Sequence, residues 1–329
     1  NWVGPLLTNA NVDTTLQQFE GLLRNASPQV KLKWRFQQAI YRAYYDAYNR
    51  RRLLYETALE QQAMDALRAA DRLGVEVAMR RAEEILERAL TEPVAQDLRA
   101  HVVEMAEALY QSIRMQLSVP RYQAIAIRRG ANLDLIDYPL NSRLWLLAQF
   151  ESIRQMERDK DKLSTLDTIV NWTNPGPGGF YDDLGQPGAQ PHLVPGEGWE
   201  KDQEFRNSAR LAIQSTPEWR MSWVTFAESV YEAPLRLAYE HLGPGAQYVV
   251  KVTYTGDNFR IKIRLLADEQ YTIHDYMAKP VPVGPVQFDV PREATADGNL
   301  VLQWNQEPGA GGSGRGNQVG EVWLMRKSE

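Results

Sequence analysis

The 329-residue chain has no cysteine, which excludes a thiol nucleophile, a disulfide framework and a cysteine-held zinc. That absence suits an exported bacterial protein and a cytoplasmic one equally. It has no apolar run near the ~18 residues that a membrane-crossing helix needs, so no segment reads as a membrane span. A basic excess is also missing. The 37 Lys and Arg are outnumbered by 42 Asp and Glu, for a net charge of -5, and this argues against a nucleic-acid partner. Histidine is limited to His101, His192, His241 and His274, none paired at metal-ligand spacing. No GxSxG, HExxH or GxGxxG element stands in a usable context. The acids single out no catalytic pair, although a glycosidase requires only two, about 5–10 Å apart.

Glycine and proline are scarce in one half alone. Only 4 of 22 Gly and 5 of 18 Pro lie in residues 1–172. So sharp a change marks a boundary between two architectures, and 329 residues at 43% hydrophobic content suffice for two domains with cores. The expected division is a helical bundle over 1–172, a Gly/Pro-rich connecting loop over 173–198 and a β-sandwich over 199–329.

The first half is charged and helix-periodic. Leu16, Phe19, Leu22 and Leu23 follow Asn11-Val-Asp13, and Ser27-Pro28 supplies an N-cap and first-turn proline for a long uninterrupted helix. Trp34, Tyr41, Tyr45, Tyr48 and Tyr55 fall on one face of it, followed by Arg50, Arg51 and Arg52. Such a stripe serves either as a docking surface or as a bundle seam, and the seam is the preferred reading. Gly74 breaks the helix; further helices are predicted to Leu90, from Pro93 to Val119, from near Pro139 and over 161–170. Five or six such helices with short connections make an antiparallel bundle the default. The chain begins at Asn1, and Trp2, Val3, Leu6 and Leu7 are expected to pack on a preceding domain of a longer protein.

Past residue 175 the period becomes 2. Tyr248, Val250, Val252 and Tyr254 alternate with Val249, Lys251 and Thr253, and Ile261, Ile263 and Leu265 alternate with Lys262 and Arg264. With Thr255-Gly-Asp-Asn258 between them, the two runs read as an antiparallel hairpin. More strands are predicted at 234–240, 270–274, 285–290, 298–304 and 318–326, a spacing that suits a sandwich.

The run VQFDVPREATADGNLVLQW (286–304), a Gly-rich loop and EVWL (321–324) resemble the closing strands of galactose-binding-like jelly rolls, such as malectin-like domains and carbohydrate-binding modules. The helical half is similar to bundles in large secreted bacterial glycoside hydrolases. The likeness spans about residues 219–329 and implies a jelly-roll sandwich facing carbohydrate. It carries over no binding residue.

Three clusters are candidate contacts. In the connecting loop, Tyr181 offers a ring to stack on a sugar, while Asp182 and Asp183 accept hydroxyl hydrogen bonds or begin a calcium site, which needs six to eight oxygens. The alternative is that they orient the turn. In PEWRMSW (217–223), read as a strand, Trp219 and Trp223 share a face with Arg220 between them; the alternative is core packing. In EPGAGGSGRGNQ (307–318), a flexible Gly-rich loop presents Arg315 to clasp an anion or a sugar, without the Lys-Ser/Thr ending of a phosphate cradle; the alternative is a mobile hairpin tip. Asn171-Trp-Thr173 is a glycosylation sequon. The expected function is the accessory, carbohydrate-binding region of a larger, secreted or periplasmic bacterial glycan-active protein, acting without bond cleavage and without a cofactor. Two alternatives remain: a structural module docked on a preceding domain, and a glycoside hydrolase with an acid pair near Asp182 or Asp183.

Overall fold

The computed structural model describes residues 11–127, 130–186, 189–196, 216–229, 232–309 and 316–327. Two compact units divide the chain: among the described residues the first comprises those up to Val170 together with 216–218, and the second comprises the rest from Asn171 on. The first is helical and the second is an antiparallel sandwich of two four-stranded sheets. Trp2, Val3, Leu6 and Leu7 lie outside the described residues.

Unit one is built on α3, Trp34–Leu67. Around it lie α1 (Asn11–Asn25), α5 (Val75–Thr91) and α6 (Gln96–Ile113), with single turns α2 (Pro28–Lys31), α4 (Ala70–Leu73) and α7 (Val119–Tyr122). The helices α8 (Arg143–Arg154) and α9 (Asp159–Val170) complete it. Tyr41, Tyr45 and Tyr48 are buried in the core with Ile40, Val102 and Leu109, so the middle of the tyrosine stripe is a seam; Trp34 at its start is exposed. The arginines that follow are held by acids. Arg50 and Arg51 reach Asp13 at 2.8 and 3.3 Å, and buried Arg52 bonds Glu56 at 2.7 Å.

Three helix boundaries depart from the periodicity. The helix expected to run on from Ser27-Pro28 is broken after one turn, α2 ending at Lys31 and α3 starting at Trp34 after Lys33 in extended backbone at φ -78° and ψ 123°. The long helix stops at Leu67, before Gly74, whose positive φ of 85° opens α5. The helix expected to reach Val119 ends at Ile113, where Arg114 takes the left-handed conformation and its N–H bonds the Tyr110 carbonyl at 2.9 Å. The chain must leave early because Ser118 caps the next turn, its hydroxyl accepting from the Arg121 amide.

In unit two, one sheet has the order β1-β8-β3-β6 and the other β2-β7-β4-β5. The first contains β1 (Phe180–Asp183), β3 (Tyr248–Tyr254), β6 (Pro285–Asp289) and β8 (Val319–Arg326); the second contains β2 (Leu235–Tyr239), β4 (Ile263–Ala267), β5 (Tyr271–Met277) and β7 (Leu300–Gln306). A helical turn, α10, spans Met221–Val224. Inward residues from both sheets, including Tyr248, Val250, Leu265, Leu302, Trp304 and Leu324, make one core. Each such side chain contributes roughly 1.5–3 kcal/mol on burial. The arrangement is compatible with a jelly roll.

The expected hairpin does not form. β3 pairs with β6 and β8, whereas β4 pairs with β5 and β7 in the opposite sheet. Alternation is identical for strands that pair edge to edge and strands that face each other across a core, so period alone cannot separate the two. Residues 255–262 cross between sheets instead. Gly256 makes the crossing at φ +90°, where a Cβ would stand 2.2 Å from Gln318 Oε1. The connecting stretch also contains a strand where a loop is expected: Phe180–Asp183 pairs in register with 321–324. Gly179 precedes it because its backbone lies against the Leu324 and Pro175 carbonyls, each 2.8 Å from where a Cβ would be.

Candidate functional site

Strand alternation sends neighbouring residues of β1 to opposite faces. Phe180 and Asp182 turn into the sandwich, and Tyr181 and Asp183 turn out. On β8 the outward residues are Glu321 and Trp323, which sit directly across from Asp183 and Tyr181. On β3 they are Lys251 and Thr253, opposite Trp323 and Glu321. The outer face of this sheet therefore carries two carboxylates, two aromatic rings and a lysine in three adjacent strands.

Two short segments cover that face. One brings Trp172. The other is the turn α10 with Arg220 just before it, entering through extended backbone at φ -61° and ψ 153°. Because residues 221–224 are helical, Trp219 and Trp223 do not share a strand face as the sequence reading expects. Trp223 is buried against Glu321, and Trp219 is half-buried.

Glu321 is the centre. It is wholly buried and accepts from three side chains: Tyr181 Oη at 2.7 Å, Trp223 Nε1 at 2.6 Å and Trp172 Nε1 at 3.1 Å. Arg220 Nη2 lies 3.5 Å away. Asp183, also buried, accepts from the Ser222 hydroxyl at 2.8 Å. The rings pack on one another, with Trp172 at 6.0 Å from both Trp223 and Trp323, and Tyr181 at 5.3 Å from Trp323. Cations sit over ring faces: the Arg220 guanidinium 4.7 Å above Trp172 and Lys251 Nζ 4.1 Å above Trp323. Two cations thus offset two buried carboxylates.

Burial sets the electrostatics. The Tyr181 hydroxyl is pushed well above its ordinary range by desolvation, then by the charges of Glu321 and Asp183. Lys251 is lowered, chiefly by desolvation; Glu321 opposes this and Arg220 adds to it. A phenol held in its neutral form is a reliable donor to Glu321, which is the bond observed.

Of the sequence-singled residues, Tyr181, Asp183, Arg220 and Trp223 converge here. Asp182 does not. It lies inside the sandwich, wholly buried, accepting from Tyr239 Oη at 3.0 Å and meeting His192 Nδ1 at 3.0 Å. The two adjacent aspartates consequently face apart. Among the described residues no group of three or more His, Asp or Glu is placed to hold a metal ion. Arg315 lies outside the described residues.

Sequence reasoning missed Glu321, Trp172, Lys251 and Trp323. The available signal was EVWL itself, in which a carboxylate and an indole alternate with Val322 and Leu324 on a strand whose inner face is core. Trp172 stood inside the sequon and was read for its asparagine. No protein-family model matches this chain, and no curated protein matches it.

Proposed function

We propose that the sandwich unit is a non-catalytic carbohydrate-contacting module of a larger glycan-active protein. Its contact surface is the rim of the Glu321 cluster. One observation carries the reading: aromatic rings from four separated stretches converge beside two carboxylates and two cations on one sheet face, and Trp172, Tyr181 and Lys251 at its margin keep part of their surface in water. Indole and phenol rings suit the apolar face of a pyranose, while Arg and Lys suit hydroxyls or a uronic carboxylate. Trp219, half-buried beside Arg220, extends the same rim in sequence. The non-catalytic part of the reading is supported by the burial of Glu321 and Asp183 and by their bonds to fixed side chains, which leave them poorly placed to act on water.

A glycan-array screen with the full chain tests this, run beside Trp172→Ala and Trp219→Ala. Binding that falls at least tenfold in either variant supports the module. Silence across a broad array, or binding indifferent to both changes, rejects it.

A second reading has one observation in its favour. Asp183 and Glu321 are direct cross-strand partners on one face, which sets Cβ atoms about 4.5–5.5 Å apart, near the carboxylate separation of retaining glycosidases. Turnover of aryl glycosides that disappears in Glu321→Gln, with the fold intact by circular dichroism, would favour this reading over the first.

A further inference from the structure

The chain is acidic overall, with a net charge of -5, yet two stretches contain no acid. Between Glu20 and Asp46 the only charges are Arg24, Lys31, Lys33, Arg35 and Arg42. Between Glu107 and Asp134 they are Arg114, Arg121, Arg128 and Arg129.

The fold brings parts of both to one end of the helical unit. Helices α3 and α6 run antiparallel, with Tyr44 in the first half of α3 stacked at 4.6 Å on His101 near the start of α6. At the end where α3 begins and α6 stops, the Ser112 hydroxyl donates to Gln37 Oε1 at 2.7 Å, and Gln37 Nε2 donates to the Lys31 carbonyl at 3.2 Å. These two bonds tie the turn α2, the first turn of α3 and the last turn of α6 together. Lys31, Lys33, Arg35 and Arg114 therefore share one end of the bundle. Among the described residues the ion pairs of this unit run through other cations, such as Arg42 with Asp46 and Arg121 with Glu107, and these four take part in none of them.

The same end exposes apolar side chains. Leu32 is 73% exposed, and Val30, Trp34 and Ile113 are exposed beside it. The Arg35 guanidinium lies over the Trp34 ring at 4.9 Å. Turn α2 and the residues flanking it carry cations and apolar residues in strict alternation, Val30-Lys31-Leu32-Lys33-Trp34-Arg35. Isolated exposed apolar residues need no explanation. Several on helix ends, interleaved with cations and free of acids, are another matter.

We infer that this end of the helical unit docks on an anionic lipid bilayer. The charge is complementary to an anionic headgroup layer. Leucine, valine and isoleucine at turn tips insert into the interfacial region, indole prefers that depth, and Lys and Arg stems lie along apolar surface while their charges reach lipid phosphate. A nucleic acid would match the cations but would leave Val30, Leu32 and Ile113 with nothing apolar to meet.

The test uses the full chain with Leu32→Cys, labelled by a polarity-sensitive fluorophore; the protein has no other cysteine. It is mixed with phosphatidylcholine vesicles that contain either no anionic lipid or about one-third phosphatidylglycerol. The expected result is a blue-shifted label and co-sedimentation with the anionic vesicles only, reversed at about 0.5 M salt as screening shortens. In the unlabelled chain, Lys31→Ser with Lys33→Ser is expected to lower partitioning about 25-fold, at roughly fivefold per cation. No partitioning to anionic vesicles overturns the inference. So does partitioning that ignores the double substitution, or binding to a short DNA duplex with vesicles ignored. Leu32 and both lysines are exposed, so these substitutions leave the core untouched.

Discussion

At the scale of single residues, unit two depends on polar groups such as buried Glu321 and half-buried His274, each bonded to more than one side chain or carbonyl. Glu321 accepts from Tyr181, Trp172 and Trp223 and offers no donor in return. Glu321→Gln is isosteric but replaces one acceptor oxygen with an NH2 aimed at donors. Leaving such buried groups mismatched costs about 3 kcal/mol. Urea unfolding should show that loss in the midpoint with the slope unchanged; a change under about 0.5 kcal/mol would mean water enters the cluster. His274 gives a pH-dependent case. Its Nδ1–H donates to the Asp275 carbonyl at 2.8 Å, so neutral Nε2 accepts from Tyr254 Oη at 2.5 Å, and Tyr254 in turn accepts from Trp304 Nε1 at 3.1 Å. Burial lowers the His274 pKa from its ordinary 6.5, against the pull of Asp275. The unfolded chain therefore binds the proton first as pH falls below 6.5, and the stabilisation present above that value is lost toward the depressed folded pKa. In His274→Gln, which keeps an acceptor without titrating, the stability difference between pH 7.5 and pH 5 should shrink. An unchanged difference would place the acid sensitivity elsewhere.

At the scale of elements, burial pattern was legible and partnership was not. The change from period 3.6 to period 2 located the helices and most strands, because each period is imposed by the face an element buries. The pairing of β3 with β8 and β6, and not with β4, depends on contacts between residues far apart in sequence, which no local pattern encodes. The site divides in the same way. Tyr181, Asp183, Arg220 and Trp223 stood out by residue type, but the carboxylate that gathers three of them sits on the last strand, where Glu321 reads as an ordinary solvent-facing position. It is buried only because Trp172 and α10 fold over it. A similar long-range tie holds unit one. Glu56 on α3 takes Arg52 Nη2 on one oxygen and the Leu140 amide on the other, both at 2.7 Å, while Arg52 also donates to the Ile136 and Tyr138 carbonyls. The irregular stretch 131–142 is thereby fastened to the central helix. Glu56→Ala strands a buried guanidinium and frees the Leu140 amide, a loss of about 3–5 kcal/mol. Limited proteolysis should then cut within 131–142 at enzyme concentrations that leave the parent intact; cleavage confined to other loops would show that Arg52 alone holds the stretch.

At the scale of the whole molecule, the two hydrophobic cores draw on separate parts of the chain. Among the described residues, the cluster around α3 draws on Val12 to Leu140, α8 and α9 add buried apolar side chains as far as Ile169, and the sandwich cluster draws on Leu184 to Leu324. A fragment comprising residues 171–329 keeps Trp172 together with Trp223, Trp323 and Glu321, so it retains the full cluster on the outer sheet face. It should unfold in one cooperative transition and preserve the near-ultraviolet circular dichroism of packed indoles. A fragment starting at Phe180 keeps every strand but loses Trp172, and with it one donor to Glu321, the ring beneath Arg220 and the carbonyl that accepts from Trp323 Nε1. It should fold with a weakened indole signal and a lower midpoint. If both fragments behave alike, Trp172 is peripheral and the cluster is closed by α10. If neither folds, the sandwich depends on the helical unit for its stability.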